Sequence, residues 1–299
     1  MGSVFELGVV TIDENWATKL IEIGIKEIER FEDILSEFRP DSMTSKINQN
    51  AGVVPTKLNT EVFELIKRSI QIAQISNGAF DITVGPLKKL YQFKNADFVF
   101  PKSKKITQAL NLVGYEKVKL DDSRGEIQLE KPQMSISFAA IGKGYAADQV
   151  RKIWRSHQVE SGYINASGDL CAFGKNAKGK PWTIGIANPN DRKKNLLHLD
   201  LSDRAIATSG DYEQFFNYQG KRYSHSLNPK TGLPLSGIKS VSVISPSAEL
   251  SDGLATAVYT LGEKAGISFV NSLPQTHAIV INENNEVHFS EDINYEGIR

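Results

Sequence analysis

Asp252 and Thr256 stand four residues apart in SDGLATAVYTLG, residues 251–262. On a helix that spacing stacks a carboxylate and a hydroxyl on one face. Two oxygens so placed suit a hard cation such as magnesium, which takes ligands from carboxylates, waters and phosphates. The spacing alone favours a second reading, in which Ser251 or Asp252 caps a helix and Thr256 bonds back along it. Another segment, SFAAIGKGY at 137–145, falls between a strand pattern and a helix pattern. Its Gly142 and Gly144 let backbone N–H groups approach a phosphate at a helix N-terminus, and Lys143 adds a point charge. It departs from a P-loop at both ends, with Ser137 in place of the first glycine and Gly144 in place of the metal-binding hydroxyl. An ordinary strand-to-helix turn with a solvated lysine is the other reading. In GKRYSHSLNPKTGLP (220–234), His225 lies between two serines and beside an Asn228-Pro229-Lys230-Thr231-Gly232 turn. An imidazole whose ordinary pKa lies near neutrality suits a general base, although one of five histidines in a chain is commonly just a polar side chain facing solvent. NASGDL (165–170) and TSGDY (208–212) are two more small-residue turns after β-like runs. No GxGxxG fingerprint occurs, so a Rossmann dehydrogenase has no support.

These residues need a scaffold, and the periodicity predicts a mixed one. Trp16, Leu20, Ile21, Gly24, Ile28, Phe31, Leu35 and Phe38 recur at helical steps. Further helices are expected over 60–75, 144–156 and 251–261, and Pro40 sets a stop and turn at FRPDS. Strands are expected at 127–129, 134–138, 163–165, 182–186, 197–201, 241–244 and 278–281. The polar, Lys-rich stretch 91–108 reads as a surface connection. The chain has 299 residues, 35 basic against 35 acidic, with 40% apolar and 23% charged residues. That balance argues against a nucleic-acid or anionic-membrane surface and against wholesale disorder. One cysteine, Cys171, excludes an intrachain disulfide and a cysteine metal cage. No apolar run reaches the roughly 18 residues of a membrane span.

Taken in order, MGSVFEL, FRPDSMTSKIN, GAFDITVGPL, AAIGKGYAAD, NASGDL, PWTIGIANP, IATSGDYEQF, GKRYSHSLNPKTGLP, SVSVISP and SDGLATAVYTLG resemble the FAD:protein FMN transferase (ApbE) family. The resemblance covers practically the whole chain. It implies an α+β, two-lobed, T-fold-like architecture with mixed sheets and flanking helices, forming one domain over 1–299. It implies a magnesium-dependent cleavage of FAD that releases AMP and joins FMN by a phosphoester to a Thr or Ser of a partner flavoprotein. FAD hydrolysis to FMN and AMP, and non-catalytic FAD binding, are the alternatives. Carried over residue by residue, the metal site falls on Asp252, Thr256 and the backbone carbonyl of Ala140, and the essential histidine on His225. Flavin and adenine contacts fall on Met1, Phe38, Arg39, Pro40, Asp81, Lys143, Ser226 and Leu227. Ser137, Ala139, Ser167 and Asn228 depart from the family pattern, in which Asp, Gly, Gly and Asp are common. They put in question the loop geometry and the orientation of the histidine. Beginning at MGS, without a signal peptide, the sequence as it stands reads as cytoplasmic; an exported or lipid-anchored protein would follow if a leader preceded it.

Overall fold

Local chemistry sets where the elements begin and end. Asp13 accepts from the Trp16 N–H at 3.0 Å and starts a long helix, α1 (Glu14–Leu35). Ser36 ends it by turning extended, and its Oγ accepts from the N–H groups of Phe38 and Arg39. The helix therefore stops before Phe38, which lies outside it and is exposed. The computed structural model describes residues 3–91, 93, 99–211 and 215–293. The other helices are α2 (Met43–Gln49), α3 (Thr60–Ile75), α4 (Gly85–Leu90), α5 (Ser103–Leu110), α6 (Gly142–Ser156), α7 (Ala248–Leu261) and α8 (Glu263–Asn271). The first strands are β1 (Phe5–Val9), β2 (Thr56–Lys57), β3 (Val118–Asp121), β4 (Glu126–Leu129), β5 (Gly162–Ala166), β6 (Asp169–Phe173) and β7 (Trp182–Asn188). They are followed by β8 (Asp191–Leu201), β9 (Arg204–Gly210), β10 (Phe215–Tyr218), β11 (Lys221–Ser224), β12 (Ile238–Ser245), β13 (His277–Asn282) and β14 (Val287–Phe289).

An antiparallel sheet of order β1-β5-β6-β9-β12-β13-β14 forms the centre. Its two faces bury different partners because side chains alternate along each strand. On β9, Ala205 and Ala207 join the cores beneath α6 and α7, while Ile206 joins the core beneath the β7–β8 ribbon. Small residues on the helical side let those helices approach the sheet closely. Trp154 of α6 is fully buried there, and its indole N–H donates to the Leu20 carbonyl at 2.8 Å, locking α1 to α6. A smaller sheet, β2-β4-β3, and the β10–β11 hairpin complete the strands.

Besides the earlier end of α1, and Thr208–Gly210 lying in β9 where a turn was expected, two expected segments change. Residues 134–138 are buried but form no strand. The Asn48 side chain takes the place of a neighbouring strand, its Oδ1 accepting from Ile136 N–H at 2.7 Å and its Nδ2 donating to Ile136 O at 3.1 Å. The stretch 91–108 is not wholly a connection, since α5 starts at Ser103 and buries Ile106. No described helix is long and apolar enough to cross a membrane.

Candidate functional site

Gly144 is where α6 and α7 meet. A Cβ there would lie 2.1 Å from the Ala248 carbonyl oxygen and 2.9 Å from the Asp252 Cβ, so only glycine permits the approach. The closeness lets the Gly144 N–H donate to Asp252 Oδ2 at 3.2 Å. A buried carboxylate thus faces the N-terminal turn of α6, where the free N–H groups and helix dipole favour negative charge. The cap of α7 is Ser247, which accepts from the Leu250 N–H. Asp252 and Thr256 are therefore helix-interior residues on successive turns, and the capping reading of Ser251 and Asp252 falls. Thr256 is half-buried, with its Oγ1 3.4 Å from Ser209 Oγ on β9.

Asp169 is the site residue that motif reading missed. It opens β6, follows a left-handed Ser167-Gly168 turn (φ 55° and 105°), and is 1% exposed. Its carboxyl pairs with Lys143 Nζ at 2.9 Å, with the Asp252 side chain and the Thr208 backbone close enough to act on it. Burial raises its pKa above the ordinary carboxylate range, with the lysine charge and these neighbours pulling the other way. The signal was present: a lone acid at the head of the otherwise apolar strand DLCAF is costly unless it is used. Lys143 is consequently an internal counter-ion, not a solvated side chain.

Among the described residues no group of three or more His, Cys, Asp or Glu forms a metal cage. The donor set around Asp252 still fits magnesium. On α7 it offers a carboxylate and, one turn on, a hydroxyl, with the buried Asp169 carboxyl adjoining, all of them oxygen donors. Substrate phosphates and water would complete such a shell.

His225 sits on a clasp of two short segments. The Ser224 N–H donates to Leu235 O, the Leu235 N–H donates to Ser226 O, and Leu227 bridges Pro234. Asn228 closes the following turn, with its Oδ1 accepting from the N–H groups of Lys230 and Thr231 at 2.9 and 3.1 Å. An amide oxygen serves there as well as a carboxylate, so the departure at Asn228 leaves the turn intact. His225 and Ser226 are half-buried, and Leu227 is buried.

The remaining candidates are held by contacts of their own. Asp81 caps a short 3₁₀ turn, accepting from Thr83 N–H and Oγ1 and from the Tyr115 N–H, and burial raises its pKa despite those bonds. Phe38 and Pro40 are exposed, and Arg39 pairs with Asp33. Ser137 accepts from Lys88 Nζ at 2.8 Å, and Glu37 supplies the carboxylate to that lysine. Met1 lies outside the described residues. A cavity of about 560 Å³ on the ribbon side of the sheet touches Val4, Glu6, Ser167, Gly185 and Thr208. Among the described residues that line it there is no Lys or Arg.

The fold defines the class. The chain superposes on the crystal structure of an ApbE protein from Thermotoga maritima with a TM-score of 0.90 and 31% identity, covering 97% of this chain and 94% of that one. It matches a flavin transferase ApbE from Vibrio cholerae with a TM-score of 0.86 and 27% identity, covering 97% and 94%. The chain belongs to the ApbE family, whose sequence profile matches residues 1–281. A FAD:protein FMN transferase of Klebsiella pneumoniae is 32% identical over 289 residues, which span 96% of this chain and 88% of that protein.

Proposed function

We propose that this protein is a magnesium-dependent FAD:protein FMN transferase. The observation that carries the reading is the α6–α7 contact, where Asp252 meets the Gly144 N–H beside Asp169, Lys143 and Thr256. This is an oxygen-rich, phosphate-ready corner on a fold shared with flavin transferases. Asp252, Thr256 and the Ala140 carbonyl would hold the ion. When bound, magnesium supplies Lewis-acid polarisation of the pyrophosphate and a template for in-line attack. The N-terminal turn of α6 and Lys143 orient the phosphates by N–H groups and charge. The clasp presents His225 to the attacking hydroxyl, a Thr or Ser of the acceptor flavoprotein. His225 takes the hydroxyl proton as the oxygen bonds to the FMN phosphorus and the bond to AMP breaks. Phe38, Arg39, Pro40, Asp81, Ser226, Leu227 and Met1 contact the flavin and adenine ends of FAD in this account.

Calorimetric titration of magnesium into the protein with FAD present tests the assignment. Wild type takes up the ion, and Asp252→Ala loses that uptake while its circular dichroism is unchanged. Equal magnesium affinity in both proteins removes Asp252 from the site.

A further inference from the structure

The small core beneath the histidine clasp is more elaborate than packing requires. Tyr91 is buried, and its hydroxyl donates to the Gly232 carbonyl at 2.8 Å. Gly232 closes the turn after His225, with φ +69° and its N–H on Asn228 O at 2.8 Å. It lies so close to Ile106 and Leu87 that a Cβ would fall 2.7 and 3.1 Å from their methyl carbons. A ladder of rings leaves Tyr91 in the other direction. Tyr91 stacks on Phe93 (5.4 Å, 12°), Phe93 on Phe216 (5.4 Å, 27°) and Phe216 on Tyr223 (5.4 Å, 12°). Phe100 closes the ladder edge-on against Tyr91, Phe216 and Tyr223. Tyr223 sits on β11, immediately ahead of Ser224 and His225. One residue therefore grips the clasp from both sides, through stacked rings before the histidine and through a hydroxyl after it.

We infer that Tyr91 is the positioning residue for His225. The inference rests on the reading of His225 as the base. A phenylalanine would fill the same ring position, so the hydroxyl has a separate purpose, and it donates to the carbonyl that closes the histidine turn. Burial pushes the Tyr91 hydroxyl up to about 12, so it remains a donor throughout the neutral range. With the hydroxyl gone, the Gly232 carbonyl loses its partner, the turn relaxes, and the imidazole drifts from the attacking oxygen. Proton transfer is sensitive to such displacements, and an ångström can cost up to a hundredfold.

The test uses the full chain in four forms: wild type, Tyr91→Phe, His225→Ala and the double variant. In the proton NMR spectrum, Tyr91→Phe should move and broaden the His225 ring signal while His157, His198, His277 and His288 stay in place. In AMP release from FAD with magnesium, kcat should fall roughly tenfold and KM for FAD should change by less than about twofold. In the His225→Ala background, Tyr91→Phe should cost nothing further, because the group it positions is absent. An unmoved His225 signal overturns the proposal, as does the same fold-loss in both backgrounds or a change confined to KM. Normal turnover by His225→Ala alone removes the base itself, which separates that failure from this one. Should Tyr91→Phe melt far below wild type, Phe100→Leu loosens the same ladder without touching the hydroxyl. It must then shift the His225 signal for the proposal to stand.

Discussion

Gly144→Ala tests whether the α6–α7 contact builds the site. The added methyl would lie 2.1 Å from the Ala248 carbonyl oxygen, 2.5 Å from its carbon and 2.9 Å from Asp252 Cβ. Ordinary contact begins near 3.4 Å, so the two helices must part by about 1.3 Å. The obstruction is backbone, which cannot swing aside as a flexible side chain can. Overpacking of this kind costs about 1–3 kcal/mol, and the rigid neighbours put this site at the upper end. The gain in helix propensity from glycine to alanine, about 1 kcal/mol, offsets only part of that cost. The displacement also carries Asp252 away from the Gly144 N–H. Urea unfolding should therefore show a lower midpoint with an unchanged slope. Magnesium-dependent AMP release from FAD should fall by at least tenfold in the fraction that remains folded. Wild-type stability together with wild-type turnover would refute the claim that this close approach sets the site.

Three further outcomes follow from the same geometry. His225→Ala should keep its affinity for FAD, read by fluorescence quenching, and lose about 10²–10⁴-fold in turnover; weaker FAD binding with intact turnover at saturation would make it a binding residue. Lys143→Ala leaves the buried Asp169 without its ion-pair partner and should destabilise the fold by about 3–5 kcal/mol, read by urea unfolding. The same variant should weaken FAD roughly 10- to 150-fold while leaving riboflavin, which carries no phosphate, nearly unchanged; equal losses for both flavins would deny the phosphate contact. Asp148 and Glu249 have pKa values raised by burial, so the folded protein holds protons that the unfolded chain has released. Stability should then fall as pH rises from the ordinary carboxylate range through the raised values, and the metal-free protein should melt higher near pH 5 than near pH 8. Asp148→Asn should flatten that slope, and an unchanged slope would show that the group titrates normally.

Much of the frame was legible in the sequence because it rests on local periodicity. The α3 helix occupies the expected Thr60–Ile75, and α6 and α7 start two and three residues earlier than read. The 134–138 segment, MSISF, misled because its apolar–serine alternation reads as a half-buried strand, whereas all five residues are buried. What pairs with its backbone is Asn48, a side chain far away in sequence. The short strands β1, β6, β10 and β11 carried too few residues to declare a period, and the seven-residue β9, RAIATSG, has no apolar–polar alternation to show one. At the site, Asp252 and Thr256 showed their shared face through spacing alone. Asp169 and Ser209 did not, because their relation to α7 exists only after the sheet has brought β6 and β9 under the helix. The ring ladder was invisible for the same reason: Tyr91 and Phe216 meet through Phe93 only once the β10–β11 hairpin has docked.

The central claim is that the chain moves FMN from FAD to a protein hydroxyl. Its most direct test is to incubate the protein with FAD, magnesium and an acceptor flavoprotein, then measure AMP by chromatography and acceptor mass by mass spectrometry. The account predicts AMP in step with an acceptor heavier by one FMN unit, both abolished by a chelator and by Asp252→Ala. AMP without a heavier acceptor would make the protein a FAD pyrophosphatase. Tight FAD binding with no AMP under any condition would contradict catalysis altogether.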